Sequence, residues 1–161
     1  MRDEREMMEL ILSAARNDER IRAVLLQGSR ANPAIPKDKY QDYDIVCFVE
    51  DITPFYNNPE WVVERFGKPL IMQMPETMRY PTGDGKFNYM MIYPDGSRLD
   101  LNFDNEKYID DGEPAVVLLD KDNGRGFIPV LPAPSDKIWH IKPPSPLYFY
   151  SCCNNFWWCL N

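Results

Sequence analysis

The stretch "LLQGSRANPAIPKDKYQDYDIV", residues 25–46, decides the architecture of the chain. An apolar run ends at Gly28-Ser29, a polar stretch with two prolines follows, and a second apolar run begins just after Asp42 and Asp44. Short apolar runs bounded by turn residues are typical of strands. The stretch therefore predicts two strands joined by a polar connection, which is either an ordinary loop or a phosphate cradle facing a metal site.

Asp42 and Asp44 stand at the start of the second predicted strand. Side chains two residues apart on a strand project to the same face, so both carboxylates are expected on one side of it. Two like charges held close together are unfavourable unless a cation lies between them. Mg²⁺ is bound by carboxylate oxygens and usually recruits substrate phosphates as well. The pair therefore predicts a magnesium site, although a solvated strand edge is the commoner reason for this spacing.

Gly28 and Ser29 end the first predicted strand. A glycine there lets backbone N–H groups approach a phosphate closely, and the serine hydroxyl adds a donor. Arg30, Lys37 and Lys39 follow, and each supplies positive charge that suits either a triphosphate or a solvated loop. The span does not match G-x-x-x-x-G-K-[ST], which excludes a Walker A loop.

Asp100 lies in a third segment, "SRLDLNF", residues 97–103. On a strand, Leu99 and Leu101 face one way and Asp100 faces the other. A carboxylate in this position is well placed to join the aspartate pair. Three carboxylates on neighbouring strands could hold two metal ions, or the third could act as a general base toward a hydroxyl group.

Each of these features is weak when it is taken alone, because most Gly-Ser pairs are turns and most strand-edge aspartates are solvated. Their order along the chain is more specific. A Gly-Ser at a strand end, an Asp-x-Asp opening the next strand and a later aspartate within a strand together form the pattern of nucleotidyltransferases. The combination favours a catalytic site over three unrelated polar positions.

The flanking sequence predicts a mixed α/β (α+β) fold, with a small mixed β-sheet flanked by helices. Residues 3–16 and 58–67 have apolar side chains at helical spacing. The turn "PDG", residues 94–96, is expected to join two strands into a hairpin. The predicted strands cover residues 21–28, 43–50, 69–74, 86–94, 97–103 and 115–120.

Length and charge limit the classes of function. A chain of 161 residues, 44% hydrophobic, is sufficient for one domain with a substantial core. A net charge of −7 makes it a poor non-specific binder of nucleic acid, and it suits a cationic substrate or carboxylates committed to metal. No secretory pattern and no membrane-length apolar run is present, so we expect a cytoplasmic protein without nucleic-acid or membrane partners.

The C-terminal part of the sequence changes character. Residues 122–146 are rich in proline and glycine and predict a connection without regular structure. A helix is expected to begin there, with Ser145 as its N-cap and Pro146 at its first position. This helix would be apolar nearly all round, including the aromatic residues 156–158, and would need partners on several sides. Self-association through this aromatic terminus is therefore an expectation.

The segments "LLQGSRANP", "QDYDIVCFV", "RLDLNF" and "CCNNFWW" together resemble the aminoglycoside 6-adenylyltransferases, the streptomycin-modifying enzymes of bacteria. The similarity runs along essentially the whole chain. It implies the nucleotidyltransferase fold. It also implies that Gly28 and Ser29 contact the triphosphate, that Asp42 and Asp44 bind the metal, and that Asp100 is the third carboxylate.

The reaction implied by the resemblance is the transfer of AMP from ATP to a streptomycin hydroxyl, with Mg²⁺ as cofactor and pyrophosphate as leaving group. Members of that family continue into a helical C-terminal domain that helps to form the antibiotic pocket. The resemblance thus implies a catalytic domain at residues 1–140, and a linker with the first helix of a truncated C-terminal domain at 141–161. We expect this shortened form to be impaired in antibiotic modification.

Two other functions stay open from the residues alone. The same catalytic set would serve a nucleotidyltransferase that modifies another small molecule or a protein. A non-catalytic module for nucleotide binding or protein interaction would explain the exposed aromatic terminus.

Overall fold

Six strands and three helices are defined in the computed structural model, which describes residues 2–77, 86–105, 114–124, 145–150 and 153. Two 3₁₀ turns, which the sequence analysis did not predict, lie at Thr53–Phe55 and Pro75–Thr77. The helices are α1 (Glu4–Arg16), α2 (Gly28–Ala31) and α3 (Pro59–Phe66), and the strands are β1 (Ile21–Gln27), β2 (Tyr43–Val49), β3 (Ile71–Gln73), β4 (Phe87–Ile92), β5 (Arg98–Asp104) and β6 (Ala115–Asp120).

The strands form one mixed sheet in the order β3-β4-β5-β2-β1-β6. Strand β2 pairs in parallel with β5 and antiparallel with β1, and β4 and β5 form the predicted hairpin. The mixed sheet flanked by helices is confirmed. The central position of β2 explains its sequence, because a strand covered on both faces is apolar along nearly its whole length.

The main hydrophobic core lies between α1, α3 and one face of the sheet. An aromatic group forms its centre, where Phe55 stacks on Phe103 at 4.3 Å and Trp61 meets Phe103 edge-on at 5.4 Å. Cys47 of β2 is buried in this core, on the face of the sheet opposite to Val46. A second, smaller buried cluster lies on the opposite face of the sheet and consists of Ala23, Leu25, Val46 and Phe48.

Helix α1 is fixed at both ends. At its start, Asp3 and Glu6 form a capping box in which each side chain accepts a hydrogen bond from the other residue's backbone N–H. Beyond its end, the buried carboxylate of Asp18 accepts hydrogen bonds from Arg20 Nε at 2.7 Å and from Trp61 Nε1 at 2.8 Å. The bond from Arg20 outweighs the effect of burial and lowers the pKa of Asp18 to about 2. This carboxylate thereby ties the turn before β1 to helix α3.

A helical turn at residues 146–150 begins as the sequence predicts. The Ser145 hydroxyl accepts a hydrogen bond from the Tyr148 N–H at 3.3 Å, which confirms the N-cap. Its apolar side chains, among them Leu147, are exposed. Most of the predicted connection and the aromatic residues 156–158 lie outside the described residues. Over the described ranges, no helix combines the length and apolar character that a bilayer crossing demands.

Candidate metal and nucleotide site

Three carboxylates meet where β2 and β5 run side by side. The parallel register pairs Asp44 directly with Asp100, and Asp42 lies one residue before β2 begins. One oxygen of each carboxylate lies within 4.8 Å of the other two. All three residues are partly exposed, so solutes can reach them. The structure therefore brings together the three aspartates that the sequence singled out.

The electrostatics of the cluster favour a cation. Burial raises the pKa of Asp100, and the neighbouring Asp42 carboxylate raises it further, while the Arg98 guanidinium acts in the opposite direction. A raised carboxyl pKa means that the surroundings disfavour the negative charge. A divalent cation coordinated by these oxygens would remove that penalty.

Gly28 borders the site at the end of the neighbouring strand β1. It follows β1, whose last residue Gln27 is the register partner of Asp44. Its φ is +71°, and a Cβ placed on it would lie 3.2 Å from the Asp44 Cγ and closer still to Oδ2. Both the backbone conformation and the available space therefore require glycine. Ser29, partly buried, is the next residue of α2.

These observations fit a small, hard cation such as Mg²⁺. The donors are carboxylate oxygens, and their spacing allows one ion to be shared. The residues that could hold the ion are Asp42, Asp44 and Asp100.

Arg30 does not project its guanidinium into open space. Its Nε and Nη2 donate hydrogen bonds to the carbonyls of Asp42 and Gln41, each at 2.8 Å. The guanidinium also lies over the Tyr43 ring, 4.0 Å from its centroid. Arg30 therefore links α2 to the backbone that carries Asp42, and its predicted contact with phosphate stays a prediction.

The two lysines of the loop lie at its surface. The Lys37 ammonium is 2.7 and 2.9 Å from the two carboxylate oxygens of Glu4, so it anchors the loop to the start of α1. The Lys39 ammonium lies over the Tyr40 ring at 4.9 Å. Both lysines, together with Arg30, line a cavity of about 580 Å³ beside α1. Their predicted contact with a triphosphate stays a prediction.

Arg98 is a residue of this site that the sequence analysis missed. Its Nη2 lies 3.3 Å from Asp42 Oδ2, and it also lines the cavity. One signal was present, because Arg98 precedes Asp100 by two residues and so shares its face of the strand. Its pairing with Asp42 depends on the register between β2 and β5, which alternation within one strand does not reveal.

Comparison with known proteins gives a consistent result. A family model described as streptomycin adenylyltransferase matches residues 1–161. The chain is 45% identical to the aminoglycoside 6-adenylyltransferase of Bacillus subtilis (strain 168), over 98% of this chain and 56% of that protein. It is 39% identical to the protein of the same name from Campylobacter jejuni, over 98% of this chain and 55% of that protein.

A solved structure shares the fold. The crystal structure of an aminoglycoside 6-adenyltransferase from Bacillus subtilis superposes with a TM-score of 0.54 and 40% sequence identity, covering 65% of this chain and 36% of the other. The chain spans about half the length of the curated relatives that it matches.

Proposed function

The chain belongs to the streptomycin adenylyltransferase family, and we propose that it transfers AMP from ATP to a hydroxyl group of a streptomycin-like aminoglycoside in a Mg²⁺-dependent reaction. Such a transfer would confer resistance to the antibiotic. Because ATP is the co-substrate, we assign the reaction to the cytoplasm. Residues 1–140 are proposed as the catalytic domain, and residues 141–161 as a linker with the first helix of a helical domain.

The observation that carries this proposal is the meeting of three carboxylates with a glycine turn. Asp42, Asp44 and Asp100 offer oxygens within 4.8 Å of one another, and the backbone of Gly28 packs directly against the Asp44 carboxylate. A cation-binding group next to backbone that a phosphate can approach is the requirement of phosphoryl and nucleotidyl transfer.

Metal binding and phosphate binding would fall to different residues of the site. Asp42 and Asp44 would hold Mg²⁺, and the backbone of Gly28 with the hydroxyl of Ser29 would bind phosphate oxygens. When bound, Mg²⁺ stabilises the charge that builds on the α-phosphate and on the pyrophosphate leaving group. Positioning and electrostatics are sufficient for direct transfer, so no covalent intermediate on the protein is needed.

Asp100 has two roles compatible with its position. It can complete the metal site, since its carboxylate lies beside that of Asp44 in the register. It can also accept the proton of the attacking hydroxyl, a role that suits a carboxyl group whose pKa is raised by burial and by Asp42. In the second role, Asp100 would lie on the side of the acceptor hydroxyl.

The choice of acceptor rests on the relatives, which are named aminoglycoside 6-adenylyltransferases. A net charge of −7 agrees with a cationic acceptor such as streptomycin, which carries guanidinium groups. The catalytic set alone would serve other hydroxyl acceptors equally well.

Incubation with ATP labelled at the α-phosphate, Mg²⁺ and streptomycin tests the proposal. We expect label on the antibiotic, dependent on Mg²⁺, with Asp44→Asn as the inactive control. A panel of other aminoglycosides and hydroxyl compounds tests the acceptor. The absence of labelled antibiotic, while the Bacillus subtilis relative is active under the same conditions, would contradict the proposed activity of this chain.

A further inference from the structure

Arg98 and Asp42 face each other because of the strand register. The parallel pairing of β2 with β5 sets Tyr43 beside Leu99 and Asp44 beside Asp100. Continued by one position, the same register sets Asp42 beside Arg98. The acidic cluster therefore lies next to the positive charge of Arg98, which belongs to β5, the same strand as Asp100.

The guanidinium and a metal ion would compete for the negative charge of the Asp42 carboxylate. Arg98 Nη2 lies 3.3 Å from Oδ2 of Asp42, and the Arg98 charge also acts on Asp100. Mg²⁺ needs oxygen ligands at about 2.0–2.1 Å in a near-octahedral arrangement. A cation bound in the cluster would also be repelled by the guanidinium charge, so the two cations compete for Asp42.

We propose that Arg98 is the resident counter-ion of the metal-free carboxylate cluster, and that its guanidinium competes with a divalent cation for the Asp42 carboxylate. The inference rests on the proposed function, since it assumes that the cluster takes a metal. It adds a charge-compensating residue that the three-carboxylate pattern does not contain.

The surroundings allow this competition. About half of the Arg98 side chain (47%) is exposed, against 26% of that of Asp42, so the guanidinium can exchange its partner for water. Arg98 also lines the cavity of about 580 Å³ beside the site, which gives the side chain room to leave the carboxylate. A half-exposed ion pair is weak, so the competition is expected to be modest in size.

The test is a Mn²⁺ titration without nucleotide, followed by electron paramagnetic resonance of the free ion, on wild-type protein and four variants. Arg98→Gln removes the competing charge and is expected to tighten Mn²⁺ binding roughly two- to five-fold. Arg98→Lys keeps the charge and should bind like wild type. Arg16→Gln is the matched control, since Arg16 is similarly exposed, pairs with Glu9 at 3.8 Å and lies at the far end of α1. Asp44→Asn should not bind.

A second readout is the rise in melting temperature on adding Mn²⁺, which reports binding to the folded state. This rise should be larger for Arg98→Gln than for wild type, and Arg16→Gln should show the same rise as wild type. Equal or weaker Mn²⁺ binding by Arg98→Gln, with wild type binding normally, would overturn the inference and leave the metal site intact. A lack of Mn²⁺ binding by all of the proteins, Arg98→Gln included, would instead overturn the metal site and with it the proposed function.

Discussion

The backbone of Gly28 lies so close to Asp44 that a Cβ at position 28 would overlap the carboxylate. Gly28 directly follows β1 and Asp44 lies near the start of the adjacent β2, and their approach is set by the pairing of Gln27 with Asp44. The glycine turn and the aspartate therefore form one site, and a substitution of Gly28 should displace the Asp44 carboxylate.

Replacing Gly28 with alanine is expected to weaken metal binding. The new Cβ must push the Asp44 carboxylate aside, and residues that orient a metal ligand typically change affinity by about 10- to 100-fold when altered. The left-handed φ of +71° adds a conformational penalty of about 1–2 kcal/mol. Mn²⁺ titration measures the first effect and urea unfolding the second.

Gly124 provides the control for this change. Its φ is +75°, close to that of Gly28, but nothing lies within 4 Å of a Cβ placed there. Gly124→Ala should therefore lose about 1–2 kcal/mol of stability and keep its metal affinity. Equal metal affinity in both variants would show that the steric contact with Asp44 is unimportant.

Asp42→Asn should abolish metal binding without harming the fold. The substitution removes one carboxylate of three whose ligand atoms lie within 4.8 Å, so it also relieves like-charge repulsion. We expect the unfolding free energy of the metal-free protein to stay within about 0.5 kcal/mol of wild type. Calorimetric titration with Mn²⁺ and thermal unfolding check the two halves of the prediction.

Glu64→Gln is the matched control, because it removes a carboxylate that is exposed on α3, outside the cluster. It should bind Mn²⁺ like wild type. Retained Mn²⁺ affinity in Asp42→Asn would rule out the assignment of that residue as a ligand.

Local pattern was sufficient for much of the fold and for part of the site. Strand β6 was predicted residue for residue, and alternation in β5 correctly placed Asp100 opposite Leu99. The pairing of Arg98 with Asp42 was not predictable in this way, since it depends on which residues of β2 and β5 stand side by side. Alternation along a strand indicates the face on which a side chain lies. It does not indicate which residue of the adjacent strand stands beside that side chain.

The side-chain conformation of Arg30 could not be predicted from the sequence, for a different reason. A basic residue after Gly-Ser predicts a phosphate contact by its charge, but a long side chain takes the partners that the folded backbone offers. Here these partners are two carbonyl groups at 2.8 Å and the ring of Tyr43. The sequence indicated a basic side chain beside the Gly-Ser turn but not its orientation, and its contact with phosphate stays a prediction.

The pKa of Asp18, about 2, predicts a loss of stability in acid. A carboxyl group whose pKa is lowered by folding stabilises the protein above its ordinary pKa of 3.8 and loses that contribution as the pH falls through the folded value. The contribution is about 2 kcal/mol, and it should disappear between about pH 4 and pH 2. Urea unfolding at a series of pH values measures it.

Asp18→Asn isolates this effect from the other carboxyl groups. The variant should be less stable at pH 7, because the bonds from Arg20 and Trp61 lose their charged acceptor. Its stability should also fall less steeply than that of wild type below pH 4. Parallel acid limbs for the two proteins would place the titrating group elsewhere.

Arg30→Gln is expected to weaken metal binding even when no nucleotide is present. The guanidinium holds the carbonyls of Gln41 and Asp42 while it lies over Tyr43, and glutamine cannot span both carbonyls. Loss of this support should let the Asp42 backbone move and should reduce Mn²⁺ affinity by about ten-fold or more. Arg30→Lys should recover only part of it, because an ammonium lacks the planar paired donors.

The nucleotide-free measurement separates two roles for this arginine. Arg5→Gln serves as the control, since Arg5 is an exposed cation on α1 and should not affect Mn²⁺ binding. If Arg30 acted only as a contact for the triphosphate, Arg30→Gln would bind Mn²⁺ normally and lose affinity for ATP alone. A fall in Mn²⁺ affinity before any nucleotide is added would instead show that Arg30 acts by holding the backbone of Asp42 in position. No phosphate is present in that measurement for the guanidinium to contact.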